Sequence, residues 1–123
     1  MGDRAGDRFP RSVYGVGSEP DVRFSLANER TFLAWVRTGL ALLAAGVALE
    51  SLQLPLQPGL RLAASLVLVL LGVLAPAQAW RGWRRDERAM RLGEPLAAPV
   101  LALPLALGCT LAGVLVLLGI LLR

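Results

Sequence analysis

Two arginines stand at the start of the first long apolar stretch, LANERTFLAWVRTGLALLAAGVAL, at residues 26–49. Arg30 and Arg37 are seven residues apart, which on a helix places both on one face, about 10 Å apart along the axis. In a self-associated assembly, that face would form two stacked rings of guanidinium groups, an arrangement that selects anions. Because guanidinium groups bind phosphate oxygens in a bidentate manner, the spacing indicates a site or path for phosphate-rich anions.

A second interpretation of Arg37 needs no anion. Trp35 predicts the headgroup level at this end of the helix, and Arg37 is only about 3 Å deeper. Its side chain leans toward the helix N-terminus, so it can reach the headgroups while its stem stays in the apolar layer. The arginines would then serve only topology and contact with anionic lipid, and the protein would be a structural or assembly subunit of a membrane complex. The sequence leaves both interpretations open.

A second group of arginines follows the second apolar stretch. If residues 80–92 are helical, Trp83, Glu87 and Met90 lie on one side of the helix, and five arginines lie on the other: Arg81, Arg84, Arg85, Arg88 and Arg91. Such a cluster attracts anionic lipid headgroups by about 1 kcal/mol per residue, or it collects a polyanion such as polyphosphate. Nucleic acid is not an expected partner, because the segment is short, tethered to the membrane and contains Asp86 and Glu87.

Other site chemistries lack the residues that they require. The chain has no histidine and a single cysteine, Cys109, so neither an intramolecular disulfide nor a zinc, haem or iron–sulfur site is expected. No nucleophile stands with a base in the pattern that catalysis requires. We therefore predict no enzymatic activity, no catalytic residue, no metal and no cofactor. We expect Cys109 to be a small buried apolar residue.

The elements that carry the arginines are predicted to be membrane-spanning helices. Of the 123 residues, 55% are hydrophobic, and the mean hydropathy is +0.59. Three windows, residues 35–54, 62–79 and 100–122, are each long enough to cross a hydrocarbon layer of about 30 Å as a helix. They lack the alternating polar pattern of barrel strands. The expected fold is an all-α membrane protein with three transmembrane helices in residues 25–123, with Ser25 as the first N-cap and residues 1–24 as a mobile tail.

The distribution of arginine predicts the orientation, because cytoplasmic segments retain basic residues. Besides the second cluster, five arginines precede the first span: Arg4, Arg8, Arg11, Arg23 and Arg30. The opposite side holds only Arg61 and Arg123. Trp35, Trp80 and Trp83 fall at the arginine-rich face, as expected of residues that prefer the headgroup zone. We therefore expect a cytoplasmic N-terminus and an external C-terminus.

Small residues on two of the spans predict close helix packing. The third span has a stripe of Gly108, Ala112 and Gly119. On the first span, the face of Arg30 and Arg37, with Thr31 and Thr38 at its edge, carries five alanines: Ala34, Ala41, Ala44, Ala45 and Ala48. Because three helices of this size enclose little space, we expect a packed bundle that self-associates into a homo-oligomer.

Two carboxylates at the ends of the first span are expected to have partners. Glu50 leans into the membrane at the external end and should pair with Arg61 across the turn. Glu29 lies about 100° from Arg30 around the helix and should brace a neighbouring chain or the second span.

The run LANERTFLAWVRTGLAL, residues 26–42, closely resembles the signature of the YidH-like family of small bacterial inner-membrane proteins, domain of unknown function family 202. The matching residues are Asn28, Glu29, Arg30, Thr31, Phe32, Leu33, Ala34, Trp35 and Arg37. The resemblance implies a multi-pass, three-helix protein of the bacterial inner membrane with no established activity.

The same membrane module occurs in the vacuolar transporter chaperone proteins of eukaryotes, where basic residues of the first span line a polyphosphate channel. This resemblance implies that Arg30 and Arg37 lie on a polyanion path. The sequence contains no soluble polymerase or phosphate-sensing domain, so synthesis of polyphosphate is not expected of it.

Overall fold

The computed structural model describes residues 7–123, and this part of the chain is helical without any strand. The helices are α1 (Arg11–Tyr14), α2 (Val22–Ser51), α3 (Pro58–Leu92) and α4 (Ala102–Leu121). Three of them, α2 to α4, are long and apolar enough to cross a membrane. The predicted all-α fold with three transmembrane helices is confirmed.

The first spanning helix begins four residues earlier than predicted, at Val22. Asp21 is its N-cap, and the Asp21 carboxylate accepts a hydrogen bond from the Arg23 backbone N–H at 2.9 Å. The prediction of Ser25 as the N-cap is wrong, because Asp21 already satisfies an unpaired N–H of the first turn and Ser25 lies inside the helix. The Ser25 hydroxyl instead donates a hydrogen bond to the Glu87 carboxylate of α3.

The second spanning helix continues well past its apolar window, so residues 80–92 are helical. The side-chain oxygen of Gln57 caps its start by accepting from the Leu60 N–H, and Pro58 occupies the first turn, where a missing N–H costs nothing. Gly93 ends the helix in the left-handed conformation at φ 69°. Since α2 starts and α3 ends about 13 residues outside the predicted spans, both project about 20 Å beyond them at one end. We call this part, residues 22–34 and 80–92, the basic end.

Glycines bring α2 and α3 together. A Cβ atom added to Gly72 of α3 would lie 2.8 Å from the Leu43 backbone nitrogen and 2.9 Å from the Gly39 carbonyl oxygen of α2. One added to Gly46 would lie 2.9 Å from the Ser65 carbonyl oxygen. The Ser65 hydroxyl donates to the Gly46 carbonyl at 2.5 Å, which joins the helices where the backbones are closest. Small residues therefore allow contact between backbones.

The alanine face of α2 does not take part in this packing. Ala34, Ala41, Ala44, Ala45 and Ala48 are exposed in the single chain, whereas Gly39 and Gly46 are buried on the opposite side of the helix. Within one chain, the expectation that the alanines meet protein is wrong. Glycine, which lacks a Cβ atom, permits a closer approach than alanine and occupies the contact instead.

The third spanning helix packs on a different face of α3. Its predicted small stripe is confirmed as a packing surface: Gly108 lies against Leu71, Gly119 lies near Leu60, and Ala112 is buried. Within residues 7–123, α2 and α4 make no contact with each other. The three helices therefore form an open arrangement with α3 in the middle.

Two further predictions concern residues in or beside the spanning segments. The predicted pair across the first turn is confirmed, since Arg61 Nε donates to a Glu50 carboxylate oxygen at 3.3 Å. Arg61 also donates to the Leu54 carbonyl oxygen at 2.9 Å, which fixes the turn. The expectation for Cys109 is wrong, because its side chain is exposed on the outer side of α4. That helix buries its glycine and alanine stripe, and Cys109 lies outside it.

Part of the predicted N-terminal tail is held against the basic end of α3. Arg91, which is 6% exposed, donates to the carbonyl oxygens of Tyr14 and Val16 and to the Glu19 carboxylate. Val13 of α1 is completely buried. Residues 1–6, including Arg4 of the orientation argument, lie outside the described residues. Arg91 therefore does not join the other four arginines of α3, because its side chain is directed to the N-terminal segment.

Candidate anion-binding groove and interfacial cleft

Four arginines of α3 line one open groove at the basic end. Arg81, Arg84, Arg85 and Arg88 follow each other at spacings of three, one and three residues, so a single helical face presents them together. The other lining residues are Ser12 and Val13 of the N-terminal segment, Ala89 of α3, and Glu94, Pro95 and Ala97. The volume of this arginine groove is about 660 Å³. The structure thus brings together four of the six predicted anion-binding residues.

The arginine groove has a strong excess of positive charge. Its one carboxylate is Glu94, against four guanidinium groups. In the described part of the chain, Arg81, Arg84 and Arg88 form no ion pair, while Arg85 Nε lies 3.6 Å from the Asp86 carboxylate. Guanidinium groups without a carboxylate partner keep their donors for an external anion.

A second cavity, the interfacial cleft, lies between α2, α3 and the connection to α4. It measures about 280 Å³, and Asn28, Thr31 and Trp35 of α2 line one wall. Arg81 and Arg85 line the opposite wall, so they belong to both cavities. Three of the predicted signature residues therefore meet two of the predicted anion-binding residues here.

Arg30 and Arg37 lie outside both cavities. Their side chains are exposed on the outer face of α2, beside the exposed alanines. Glu29 is exposed as well, and no partner for it is found among residues 7–123. In a single chain, these residues of the signature run do not contribute to an enclosed site.

The buried carboxylate of Glu87 joins α2 to α3 at the basic end. The sequence predicted the side of the helix on which Glu87 lies, but not this role. Glu87 is 3% exposed and accepts hydrogen bonds from the Ser25 hydroxyl at 2.6 Å and from Asn28 Nδ2 at 3.1 Å. Asn28 Nδ2 also contacts the Trp83 carbonyl oxygen at 3.1 Å. Asn28 of the signature run is thus a connector between helices. This role was predictable in part, because Asn28 lies on the same helical face as Gly39, which packs against α3.

Aromatic residues gather around the same end. Trp80 and Trp83 stack with their ring centroids 5.2 Å apart, and Phe32 of α2 meets Trp80 edge-on. The Arg8 guanidinium lies 4.2 Å from the centroid of the Tyr14 ring. Burial raises the pKa of Tyr14 above its usual value, and the negative charge of Glu87 acts in the same direction. Tryptophan at one end of a spanning bundle is typical of the headgroup zone.

No group of three or more potential metal ligands occurs among the described residues.

Comparisons with known proteins concern the region that forms this end of the molecule and most of the spans. The sequence profile of a family described as Domain of unknown function (DUF202) matches residues 23–89. An uncharacterized protein of Mycobacterium tuberculosis is 47% identical over 100 residues, covering 80% of this chain and 82% of the relative. The inner membrane protein YidH of Escherichia coli is 49% identical over 82 residues, covering 66% of this chain and 71% of the relative. No solved structure matches.

Proposed function

The chain belongs to the DUF202 family, and from this premise we propose that it binds phosphate-rich anions in the arginine groove and self-associates through the outer face of α2. It is a small multi-pass inner-membrane protein with three apolar helices. The observation that carries the proposal is the convergence of Arg81, Arg84, Arg85 and Arg88 on one open groove. The basic end is cytoplasmic in this proposal, because arginine-rich segments remain on that side.

The charge and shape of the arginine groove favour an extended polyanion. The lining contains four guanidinium groups and one carboxylate, and three of the arginines, Arg81, Arg84 and Arg88, form no ion pair among the described residues. Arg81 and Arg88 are seven residues apart, so the charged strip is about 10 Å long. An anion that repeats its charge along a chain, as polyphosphate does, satisfies more of these donors than one isolated phosphate. Bidentate guanidinium contacts strengthen each phosphate interaction.

Self-association would give Arg30 and Arg37 a role. The outer face of α2 is uncovered and carries small alanine side chains, which let a second helix approach closely. Two or more copies meeting there would place guanidinium groups of neighbouring chains side by side. Such a row of positive charge selects anions.

Binding is tested with the purified protein in nanodiscs of zwitterionic lipid, titrated with polyphosphate. The Arg84→Gln/Arg88→Gln variant removes two groove charges and should weaken binding about thirtyfold, at about 1 kcal/mol per arginine. The matched control is Arg123→Gln, which removes an arginine at the opposite end of the bundle and should bind as the wild type does. Equal affinity of the double variant and the wild type would refute binding in the arginine groove.

Conduction is tested separately in sealed vesicles. The Arg30→Ala/Arg37→Ala variant should lose polyphosphate flux, while Arg23→Ala, at the same end but paired with Asp21, should keep it. Retained flux in the double variant would remove these two arginines from the path.

The second candidate function is a structural or assembly subunit whose arginines serve topology and anionic-lipid contact. The observation that favours it is that Arg37 lines no cavity within one chain. An absence of polyphosphate flux in both the wild type and the double variant would support this candidate.

A further inference from the structure

The interfacial cleft lies at the boundary between apolar and polar layers. Trp35 and Gln78 of its lining are at the edges of the predicted spans, whereas Arg85 is seven residues farther along α3, about 10 Å toward the basic end. Val100 and Leu101, which lead into α4, add apolar side chains to the lining. A ligand in the cleft would therefore contact both layers, which is the position of a lipid headgroup.

The interfacial cleft lies beside the separation between α2 and α4. Because α2 and α4 pack on different faces of α3 and their backbones do not meet within residues 7–123, a gap separates the two helices. The cleft has one wall from α2 and another from the residues that precede α4. Acyl chains attached to a headgroup in the cleft can follow this gap into the hydrocarbon layer.

The charge of the interfacial cleft differs from that of the arginine groove. Its charged lining residues are Arg81, Arg85 and Asp86, which leave a single net positive charge. This balance complements a phosphodiester, which carries one negative charge, better than a polyanion. The two cavities thus suit different anions, although they share two arginines.

Two residues that line the interfacial cleft each have a polar atom without a hydrogen-bond partner. Arg85 Nε and Asp86 Oδ1 are shielded from solvent and form no hydrogen bond in the described part of the chain, and they lie 3.6 Å apart. Shielded polar atoms without partners destabilise a fold unless a ligand or water satisfies them. A phosphate oxygen can accept from Arg85, and a hydroxyl on the same headgroup can donate to Asp86.

We propose that the interfacial cleft binds one anionic phospholipid whose phosphodiester headgroup carries hydroxyls, as in phosphatidylglycerol. A volume of about 280 Å³ accommodates a headgroup and the start of the acyl chains, not an entire lipid. Phosphate interacts with Arg81 and Arg85, a headgroup hydroxyl with Asp86, and the acyl chains with the gap between α2 and α4. The proposal does not rest on polyanion binding in the arginine groove, although the two cavities share Arg81 and Arg85.

Gly82 provides a direct test of the site. It lines the interfacial cleft, and a Cβ atom added there meets nothing within 4 Å, so the leucine of Gly82→Leu enters the cleft without a clash at its first atom. The matched control is Gly113→Leu in α4, where an added Cβ atom also meets nothing and the side chain is exposed. Both substitutions replace a helical glycine, so their effects on helix propensity are alike.

Native mass spectrometry of the protein, released from micelles containing equal amounts of phosphatidylglycerol and phosphatidylcholine, measures retained lipid. The wild type and Gly113→Leu should retain one phosphatidylglycerol per chain. Gly82→Leu should retain about thirtyfold less, because the leucine blocks the contacts of the headgroup with Arg81 and Arg85, at about 1 kcal/mol each. Equal retention of the two lipids by the wild type, or equal phosphatidylglycerol retention in both leucine variants, would overturn the proposal.

Three further arms keep the result interpretable. Gly82→Ala, a smaller change, should reduce retention less than Gly82→Leu while preserving the helical circular dichroism signal, and full retention in a folded Gly82→Leu would contradict the site. Inorganic phosphate should not displace the lipid, since displacement would mean that the acyl chains contribute nothing. The Arg84→Gln/Arg88→Gln variant, which should weaken polyphosphate binding, should still retain the lipid. This variant therefore distinguishes a failure of the polyphosphate proposal from a failure of the lipid proposal. Loss of lipid in the variant would count against a separate lipid site.

Discussion

Replacing Gly72 by alanine tests the glycine contact between α2 and α3. The new Cβ atom would lie 2.8 Å from the Leu43 backbone nitrogen, whereas ordinary contact begins at 3.4 Å, so α2 must retreat by about 0.6 Å. Both nearest polar atoms belong to the α2 backbone, which cannot turn away as a side chain can. A gap of this size forfeits about a quarter to a half of the dispersion energy of the separated atoms. We expect the free energy of unfolding to fall by about 1–3 kcal/mol.

The assay is reversible unfolding of the detergent-solubilised protein, followed by helical circular dichroism as the fraction of denaturing detergent increases. Gly113→Ala is the matched control, because its Cβ atom meets open space and the gain in helix propensity is the same. We expect the control to stay within about 0.5 kcal/mol of the wild type or to be slightly more stable. Equal unfolding curves for the Gly72→Ala and Gly113→Ala variants would refute the close backbone contact.

Three further predictions concern polar contacts. Asn28→Ala removes a hydrogen bond from the buried Glu87 carboxylate and should lower the free energy of unfolding by about 1–3 kcal/mol in the same assay. Arg61→Gln removes the ion pair at the first turn and should destabilise by about 1 kcal/mol, whereas an unchanged unfolding curve would show the pair to be inert. Arg91→Ala should speed limited proteolysis between residues 7 and 20, because the N-terminal segment loses its hydrogen bonds to α3. The hydrogen bond from Arg91 holds the pKa of Glu19 below its usual 4.5. The stabilisation from this contact is therefore present above pH 4.5 and is lost as the pH falls through the lower pKa of the folded state. Acid should speed the same cleavage in the wild type, and a cleavage rate independent of pH would contradict this role of Glu19.

Hydropathy was sufficient to predict the fold class. Each span contains an apolar run long enough for the bilayer, and backbone groups at that depth must bond within their own helix. The pair of Glu50 and Arg61 was also predictable, because a tight turn brings the two helix ends together. These features depend on local sequence and on the membrane.

The face of α2 that packs on α3 is marked by glycines and not by the alanines from which close packing was predicted. Alanine and glycine both count as small residues, but Gly39 and Gly46 lie about 180° around the helix from Arg30. Their seven-residue spacing marks a second small face, which lacks Cβ atoms and allows the backbone of α3 to approach more closely. Hydropathy alone does not distinguish these faces.

Which side chains come together at the basic end depends on contacts between residues that are distant in the sequence. Asn28 and Glu87 are 59 positions apart, and their hydrogen bond depends on how α2 and α3 align. Helical spacing placed Arg91 at the edge of its cluster, and the backbone oxygens of the N-terminal segment decide where its side chain lies. The residues of the arginine groove were predictable because one helical face holds all four.

The central claim is that the outer face of α2 meets another copy of the chain, and disulfide cross-linking measures this most directly. In a Cys109→Ala background, Ala41→Cys places the only thiol on that face, and Val73→Cys places it on an exposed position of α3. A disulfide forms only when two Cα atoms come within about 7 Å. In native membranes, mild oxidation should give a covalent dimer from Ala41→Cys and little from Val73→Cys. Equal yields from both variants, or a higher yield from Val73→Cys, would contradict the claim.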